Sequence, residues 1–324
     1  MNIATKHGLG KVLPPLIGAG LAAIAVLAAM SSSAGIQGSG FASQLAIGPV
    51  TEPVSNNIVV VSGIPYSTAN AVIQIDGHGA VPGQIQAGDV VSVIATTDPA
   101  AGGAASARQV TFNGGVQGKV SNVDAPAATL FVLGQTVRVT SKTAFGPDIG
   151  PAGLAGLQNG EVVEVSGFAN SVGELVATRI EAKGRSNVSR VVGNVRTLDP
   201  ARHTFYINSL KIDYGSANVR TVLTDSASVN VQGVKFAADG TLIADLVRAS
   251  SSAHSHAGWI GRIQGLITSY PSNAYFEVNG QPVVVGAQTS LHLPVPLGLD
   301  VEVNVTGTFD TGGVLVADSV QSSR

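Results

Sequence analysis

The sequence predicts an all-β protein built from four small five-stranded barrels in tandem, behind an apolar N-terminal segment. A chain of 324 residues exceeds what one hydrophobic core fills, so several domains are expected. Charged residues make up only 12%, while 40 Gly and 15 Pro supply turns, a composition typical of exported β proteins. A Gly followed two residues later by Val or Ile recurs at intervals of about 70 to 75 residues, by subtraction of residue numbers. The four glycines are Gly48, Gly118, Gly193 and Gly265.

The N-terminal segment resembles a bacterial secretory signal. Lys6 and Lys11 precede an apolar run at 12–30, and Ser32 and Ala34 satisfy the small-x-small rule for cleavage. We therefore expect a signal peptide at 1–34, with an uncleaved membrane anchor as the alternative, since about 19 apolar residues can span a bilayer. Residues 35–46 read as a Gly/Ser-rich tether.

The second repeat, 113–185, shows the strand pattern most clearly. Alternating apolar and polar residues predict strands at 115–123, 129–133, 135–142, 161–168 and 174–182. A Gly- and Ala-rich stretch at 150–157 predicts one helical turn between the third and fourth strands, and Asn159-Gly160 suits the tight turn that follows.

The other repeats, at 47–112, 186–250 and 260–324, match this order block by block, with a linker expected at 251–259. Strand two is followed by a turn Gly in three copies, at Gly63, Gly134 and Gly280. Three strands, a short helix and two strands in about 70 residues is the order of an OB-type barrel, which closes its edges by curling five strands. A plain sandwich is the alternative, and the sequence leaves open whether the barrels are separate or packed together.

Several blocks of the second repeat resemble a bacterial family of exported tandem β domains known only as a domain of unknown function. They are Gly118-Lys119-Val120, residues 132–137, residues 160–167 and Ala177-Thr178-Arg179-Ile180-Glu181. The tether and Gly48-Pro49-Val50 also resemble the start of such proteins; the likeness is closer in repeats one and two than in three and four. The resemblance implies an envelope location and OB-like domains, and no established activity. Members often look like lipoproteins, whereas this chain has no Cys to carry a lipid.

No sequence motif for catalysis or a cofactor is found, which favours a non-enzymatic protein without a cofactor. Walker loops, Gly-x-Ser-x-Gly elbows and His-Glu-x-x-His zinc motifs are missing, and the lack of Cys excludes disulfides, thiolate metal sites and Cys nucleophiles. His254 and His256 are weak metal candidates, because alternate residues of an extended segment can face one way but further ligands are missing nearby. We therefore expect no metal site there.

Two acidic pairs have the residue types that acid-base chemistry requires. Glu161 and Glu164, three apart on a strand, point to opposite faces, whereas Asp300 and Glu302 share a face at period two. The second pair can bind a cation or act in hydrolysis, although such residues more often form the wet side of a sheet. A cell-envelope hydrolase is thus an alternative with little support.

The best ligand candidates lie in the third repeat. An OB barrel binds ligands with strands two and three and the neighbouring loops, and Arg202, His203, Tyr206 and Lys211 fall in that region. Rings stack on aromatics and cations meet anionic groups, so these residues suit a polyanion or a sugar. The alternative is that the charges are simply solvated and the aromatic residues serve the core.

Charge is divided unevenly along the chain. Residues 113–250 hold 13 Lys and Arg against 11 Asp and Glu, residues 43–112 hold one against four, and residues 251–324 hold two against five. This distribution fits chance, a weak polyanion contact or self-association.

The leading hypothesis is an exported periplasmic or cell-surface binding or spacer protein with an unknown envelope or extracellular ligand. The alternative is a polyanion or nucleic-acid binder acting through repeats two and three, although export and few aromatics argue against nucleic acid. Membrane contact is expected only through an uncleaved N-terminal segment.

Overall fold

The computed structural model describes residues 42–97, 104–250 and 255–323, and these residues form an all-β protein. The expected signal segment and most of the tether lie outside the described residues. The prediction of four tandem OB-like barrels is confirmed.

The second barrel shows the closed circuit most simply. Its strands are β8 (Val116–Asp124), β9 (Thr129–Val132), β10 (Gln135–Arg138), β11 (Ala144–Phe145), β12 (Val162–Ala169) and β13 (Leu175–Ala182). β8 pairs with β9 and β9 with β10; β10 pairs in parallel with β13, which pairs with β12, and β12 returns to β8. The predicted helical turn is a 3-10 turn at Gly153–Gly156. No sheet edge remains open in this circuit, which is how a small barrel protects its backbone polar groups.

The first and fourth barrels repeat this circuit. The first contains β1 (Ala42–Pro49), β2 (Ile58–Val61), β3 (Ile64–Ser67), β4 (Val72–Ile75), β5 (His78–Ala80), a 3-10 turn (Pro82–Gln84), β6 (Val90–Thr97) and β7 (Ala105–Phe112). The fourth contains β23 (Ile260–Ser272), β24 (Tyr275–Val278), β25 (Gln281–His292), β26 (Glu302–Phe309) and β27 (Leu315–Ser323). When the short hairpin of β4 and β5 is not counted, each of these barrels has five strands. In each, the third strand pairs in parallel with the fifth, β3 with β7 and β25 with β27.

Strands one, four and five of the third barrel are each divided in two. Its elements are β14 (Ser189–Asn194), β15 (Arg196–Asp199), β16 (Thr204–Ile207), β17 (Leu210–Asp213), β18 (Asn218–Val219), β19 (Ser228–Gly233), β20 (Lys235–Phe236), β21 (Leu242–Ile243) and β22 (Leu246–Ala249). The sheet of the second barrel continues into the third through β14, β19, β22 and β18. A separate five-stranded sheet contains β15, β16, β17, β20 and β21.

β1 begins before the first repeat expected from the sequence. The sequence predicts a tether as far as residue 46, whereas residues 42–46 form part of this strand, with Leu45 and Ala46 buried. The reason is tertiary: β1 pairs with β6 on one edge and, in parallel, with β23 of the fourth barrel on the other. Such long-range pairing leaves no signal in the local sequence.

The barrels join in two pairs. β1 and β23 place the first and fourth barrels in one 12-stranded sheet, which we call the 1–4 lobe. β8 and β14 join the second and third barrels through the pairs Arg190–Gln117 and Val191–Val116, and one continuous apolar core runs through both, giving the 2–3 lobe.

The repeated glycine of strand one makes room for a side chain of the turn between strands two and three. A Cβ atom added at Gly48, Gly118 or Gly265 would overlap Ser62, Leu133 or Asn279, respectively. Each of these three residues has a positive φ near 50° and precedes a turn Gly, so its side chain folds back over strand one. In the third barrel, Ile207 takes this place against Gly193. The recurring motif therefore records one packing contact that is repeated in the first, second and fourth barrels, whereas the third barrel uses a core residue of β16.

Candidate ligand-binding surface

The outer face of the third barrel carries an aromatic side chain between two cations. Alternation along β16 and β17 turns Phe205, Ile207 and Ile212 into the core, where each is almost fully buried. Tyr206 therefore faces outward. It lies directly opposite Lys211 on β17 and opposite Arg196 on β15.

This arrangement, the Arg196–Tyr206–Lys211 row, crosses three adjacent strands. Directly opposed side chains of neighbouring strands lie about 5 Å apart at Cβ, within reach of one ligand. Tyr206 and Lys211 are partly exposed and Arg196 is exposed. Within the described ranges, the side chains of these three residues make no hydrogen bond or ion pair.

Arg202 and His203 lie beside this row, at the turn between β15 and β16. The guanidinium Nη1 of Arg202 donates to Asp199 Oδ2 over 2.7 Å, and the same aspartate accepts from the Arg202 backbone amide over 3.0 Å. His203 adopts a positive φ of 55° and sets its ring edge-on to Tyr214, with centroids 5.6 Å apart. Two of the four predicted residues thus share the row directly, and the other two form the turn at its side.

Arg196 was not predicted from the sequence. A register shift between Arg196 and Asp199 interrupts the pairing of β15 with β16, so counting alternate residues from Tyr206 does not identify its neighbour on β15. The sequence shows an Arg at a strand-one position, but it does not show which residue of β16 lies opposite that Arg.

Acidic side chains border the row. Hydrogen bonds from Thr241 hold the pKa of Asp239 below its ordinary value, and the charge of Lys211 acts in the same direction. Hydrogen bonds from Arg202 likewise lower the pKa of Asp199. Both carboxylates are therefore ionised at neutral pH, and the surface carries charges of both signs.

The other barrels carry different pairs at the positions of Tyr206 and Lys211. These are Val60 and Pro65 in the first barrel, Phe131 and Thr136 in the second, and Glu277 and Pro282 in the fourth. An aromatic residue facing a cation at this place belongs to the third barrel. The frame is common to the four copies, and the outward side chains distinguish them.

Of the two weak metal candidates, His256 lies in the described part of the chain. His256 is exposed and its ring lies 4.6 Å from that of Trp259, measured between centroids, while His254 falls outside the described residues. In the ranges 42–97, 104–250 and 255–323, no group of three or more His, Cys, Asp or Glu is placed to hold a metal ion. No helix of the described residues is long and apolar enough to cross a membrane.

Asp300 and Glu302, considered above for hydrolysis, contact the second barrel. Asp300 Oδ1 accepts from the Ser171 amide over 2.6 Å, and Oδ2 accepts from the Ser171 hydroxyl over 3.0 Å. Glu302 accepts from Lys142 Nζ over 2.6 Å and from Gln264 Nε2 over 2.7 Å. Burial raises the pKa of Glu302, but these hydrogen bonds outweigh it and the net shift is downward. Both carboxylates thus bind neighbouring protein groups at the contact between the lobes.

A cluster of buried and partly buried charged groups lies where three barrels meet. Arg190 of the third barrel pairs with Glu164 of the second and with Asp76 of the first, and Lys183 Nζ lies 2.7 Å from Glu164 Oε2. Arg190 is 3% exposed and Glu164 is 5% exposed. Buried charges of this kind need good partners, since removing one leaves the other unpaired in a medium of low dielectric.

Closed five-stranded barrels with a parallel pairing between strands three and five define a protein of tandem OB-like domains. Residues 117–181 and 264–321 match the model of the family described as Domain of unknown function (DUF5666). The resemblance to a family of unknown function is thereby confirmed, and the matched residues lie in the second and fourth barrels. The sequence predicts a closer likeness to the family in the first repeat than in the fourth, whereas the matched residues include the fourth repeat and not the first.

No curated protein matches the chain. Among solved structures, one described as drosophila Unr CSD456 aligns with 64% of this chain and 97% of its own length, at 13% sequence identity and a TM-score of 0.16.

Proposed function

We propose that this protein is a non-enzymatic binding protein, exported to the periplasm or the cell surface, that holds an anionic envelope or extracellular ligand on the outer face of its third barrel. The Arg196–Tyr206–Lys211 row carries the proposal. A ring flanked by two cations suits a ligand that alternates ring and anionic group, because the ring stacks on Tyr206 while the anionic groups meet the cations. An acidic glycan has this chemistry.

Export is supported by the sequence of the N-terminal segment, with its two lysines, apolar run and small residues before Gly35. The intact mass of the protein isolated from its native source tests this part. Loss of residues 1–34 supports export with cleavage, and a full-length cytoplasmic protein contradicts it.

A spacer is the second candidate, favoured by the way in which the barrels are joined. Continuous strand ladders link the barrels within each lobe, and ion pairs such as Arg190 with Asp76 link the two lobes. A chain built in this way holds its ends at a fixed separation without needing a ligand. Under this alternative the row on the third barrel has no binding role.

Binding to heparin, as a soluble acidic glycan, at several salt concentrations tests the ligand surface. We expect the double variant Tyr206→Ala/Lys211→Ala to weaken binding by about tenfold or more, because it removes the stacking surface and one cation. Lys211→Ala alone should lower the slope of log K against log salt by about one. Lys119→Ala and Tyr275→Ala are matched controls, since they remove an exposed lysine of the second barrel and an exposed tyrosine of the fourth.

Equal losses in the double variant and in the two controls would contradict the proposed surface. No binding to heparin or to other acidic glycans would leave the spacer as the better account. Turnover of a bound glycan, abolished by Asp300→Asn, would overturn the non-enzymatic assignment.

A further inference from the structure

The contact between the first and second barrels encloses a carboxylate with a poor partner. Asp89 is 4% exposed, and Arg179 of β13 is 7% exposed. Asp89 Oδ1 lies 3.8 Å from Arg179 Nε, which is too far for a hydrogen bond. This Nε has no hydrogen-bond acceptor in the structure. The other oxygen, Oδ2, accepts from the Gln86 amide over 2.8 Å. The charge is therefore removed from water with little compensation.

Short backbone contacts fix this carboxylate against the second barrel. The Val90 amide, next to Asp89, donates to the hydroxyl of Ser166 over 2.8 Å. Arg179 Nη1 donates to the carbonyl of Ala87 over 3.1 Å. Gly88, with φ of 93°, lies so close to β13 that an added Cβ would stand 2.7 Å from the carbonyl oxygen of Thr178. Asp89 cannot reach water while these contacts hold.

The charged groups that face Asp89 come from two strands. β13 contributes Arg179 and Glu181, and β12 contributes Glu164. Lys183 lies 2.7 Å from Glu164 and 3.7 Å from Glu181, so it neutralises part of this acidic charge. The ionised form of Asp89 is favoured by the Gln86 amide and by the distant positive charge of Arg179, and both glutamates repel it.

We propose that the contact between the first and second barrels is an acid-strengthened latch, which closes most firmly when Asp89 is protonated and loosens as its carboxylate ionises.

The direction follows from proton binding. Burial, with a smaller contribution from Glu164 and Glu181, raises the pKa of Asp89 from 3.8 to about 7, against the opposing effect of the Gln86 hydrogen bond and Arg179. In an opened contact the carboxylate meets water and regains its ordinary value. Between these two values the closed form binds more protons, so closure is favoured at low pH and this contribution is lost as the pH rises through 7.

A neighbouring contact of the first barrel shifts in the same direction. Burial raises the pKa of Asp76, which pairs with Arg190 and accepts from the Gly114 amide over 3.3 Å. Glu164 repels its ionised form, while Arg190, Gly114 and Arg248 favour it. Two carboxylates of the first barrel therefore contribute to the same pH dependence.

Hydrogen exchange of the Val90 amide, followed by NMR and corrected for the intrinsic rate at each pH, tests the latch. We expect the opening constant of the wild-type protein to rise about tenfold for each pH unit between 5 and 6.5 and to level off above pH 7.5. The Asn279 amide, which donates to Leu266 within the fourth barrel, serves as an internal control without this dependence.

Asp89→Asn keeps the shape of the side chain without its charge, so its opening constant should vary much less with pH. Asp318→Asn, an exposed change in the fourth barrel, should behave as the wild type. Ser166→Ala, which removes the acceptor of the Val90 amide, should raise opening at every pH and keep its pH dependence. A flat wild-type profile, or a profile unchanged by Asp89→Asn, would overturn the latch.

Discussion

At the scale of single residues, the strand-one glycines show how a sequence repeat can record a side-chain contact. The glycine at Gly118 is needed because Leu133, held at a positive φ of 50°, turns its side chain onto β8. From the sequence alone, a glycine in a barrel strand indicates a bend or a close backbone approach. The contact with a side chain of the two-residue turn is more specific, and it links the strand-one motif to the turn motif some fifteen residues later.

Gly118→Ala should destabilise the protein by about 1–3 kcal/mol, because the added methyl overlaps Leu133 in a packed site. Leu133→Ala removes the obstructing side chain, at its own cost of lost packing. Urea unfolding of both single variants and of the double variant gives a coupling free energy. We expect the double variant to be more stable than the sum of the two single effects by about 1 kcal/mol. Additive effects would show that Leu133 is not what requires the glycine.

The candidate ligand residues mark how far residue-level prediction reached. Tyr206 and Lys211 were identified because residue type and an OB-like strand order suffice to place strands two and three. Arg196 was missed because its neighbour across the sheet depends on the irregular register of β15. Side-chain chemistry is visible in a sequence, whereas the pairing that brings side chains together is not.

At the scale of elements, strand four is interrupted by the same irregularity in three barrels. The register shifts fall between Ile94 and Ala95, between Ser166 and Gly167, and between Thr306 and Gly307. In the third barrel the corresponding Gly233 ends β19. A Cβ at Gly167, Gly233 or Gly307 would overlap a carbonyl oxygen of strand five. The bulge bends strand four so that a five-stranded sheet can close.

Gly307→Ala should lower the free energy of unfolding by about 1–3 kcal/mol, because the methyl meets the rigid backbone carbonyl of Val316. Gly286→Ala in the same barrel is the matched control, since no atom lies within 4 Å of its added Cβ. The control should change stability little, or raise it slightly by restricting the unfolded chain. Urea midpoints at unchanged m-values measure both, and equal midpoints would contradict a requirement for glycine at the bulge.

The elements themselves were largely predictable, and their partners were not. Period-two alternation located the five strands of the second barrel to within a few residues at most ends. The reason is that a half-buried strand alternates apolar residues on its buried face with polar residues on its exposed face. The third strand is shorter than predicted: β10 ends at Arg138, although apolar and polar residues continue to alternate beyond it. The parallel pairing of β1 with β23 joins segments more than 200 residues apart by residue number, and no local pattern indicates it.

At the scale of the whole molecule, the uneven charge of the sequence acquires an intramolecular explanation. The acidic first and fourth repeats form one lobe, and the more basic second and third repeats form the other. Ion pairs between the lobes join acids of the 1–4 lobe to cations of the 2–3 lobe: Asp76 pairs with Arg190, and Glu302 pairs with Lys142. From the sequence alone, this charge distribution fits chance, a weak polyanion contact or self-association. In the structure, part of the complementary charge of the two lobes is paired at the contact between them.

Arg190 is central to the contact between the lobes, since it joins carboxylates of two different barrels. Arg190→Gln removes the arginine shared by Glu164, which is buried, and Asp76, which is partly buried. Lys183 then remains beside Glu164 and Arg248 near Asp76, and the change should cost about 3–5 kcal/mol. Arg196→Gln, an exposed change in the same barrel, should change stability by less than about 0.5 kcal/mol. Urea unfolding measures both.

Neutralising the carboxylates together with the arginine distinguishes electrostatics from simple packing. In Arg190→Gln/Glu164→Gln/Asp76→Asn no buried charge lacks its partner arginine, so most of the lost stability should return, as it does when buried ion pairs are replaced as a set. If Arg190→Gln matches Arg196→Gln, the lobes do not depend on this ion pair. If the triple variant is as unstable as Arg190→Gln alone, the arginine acts through its volume and hydrogen bonds, and the complementary charges of the two lobes are not what holds them together.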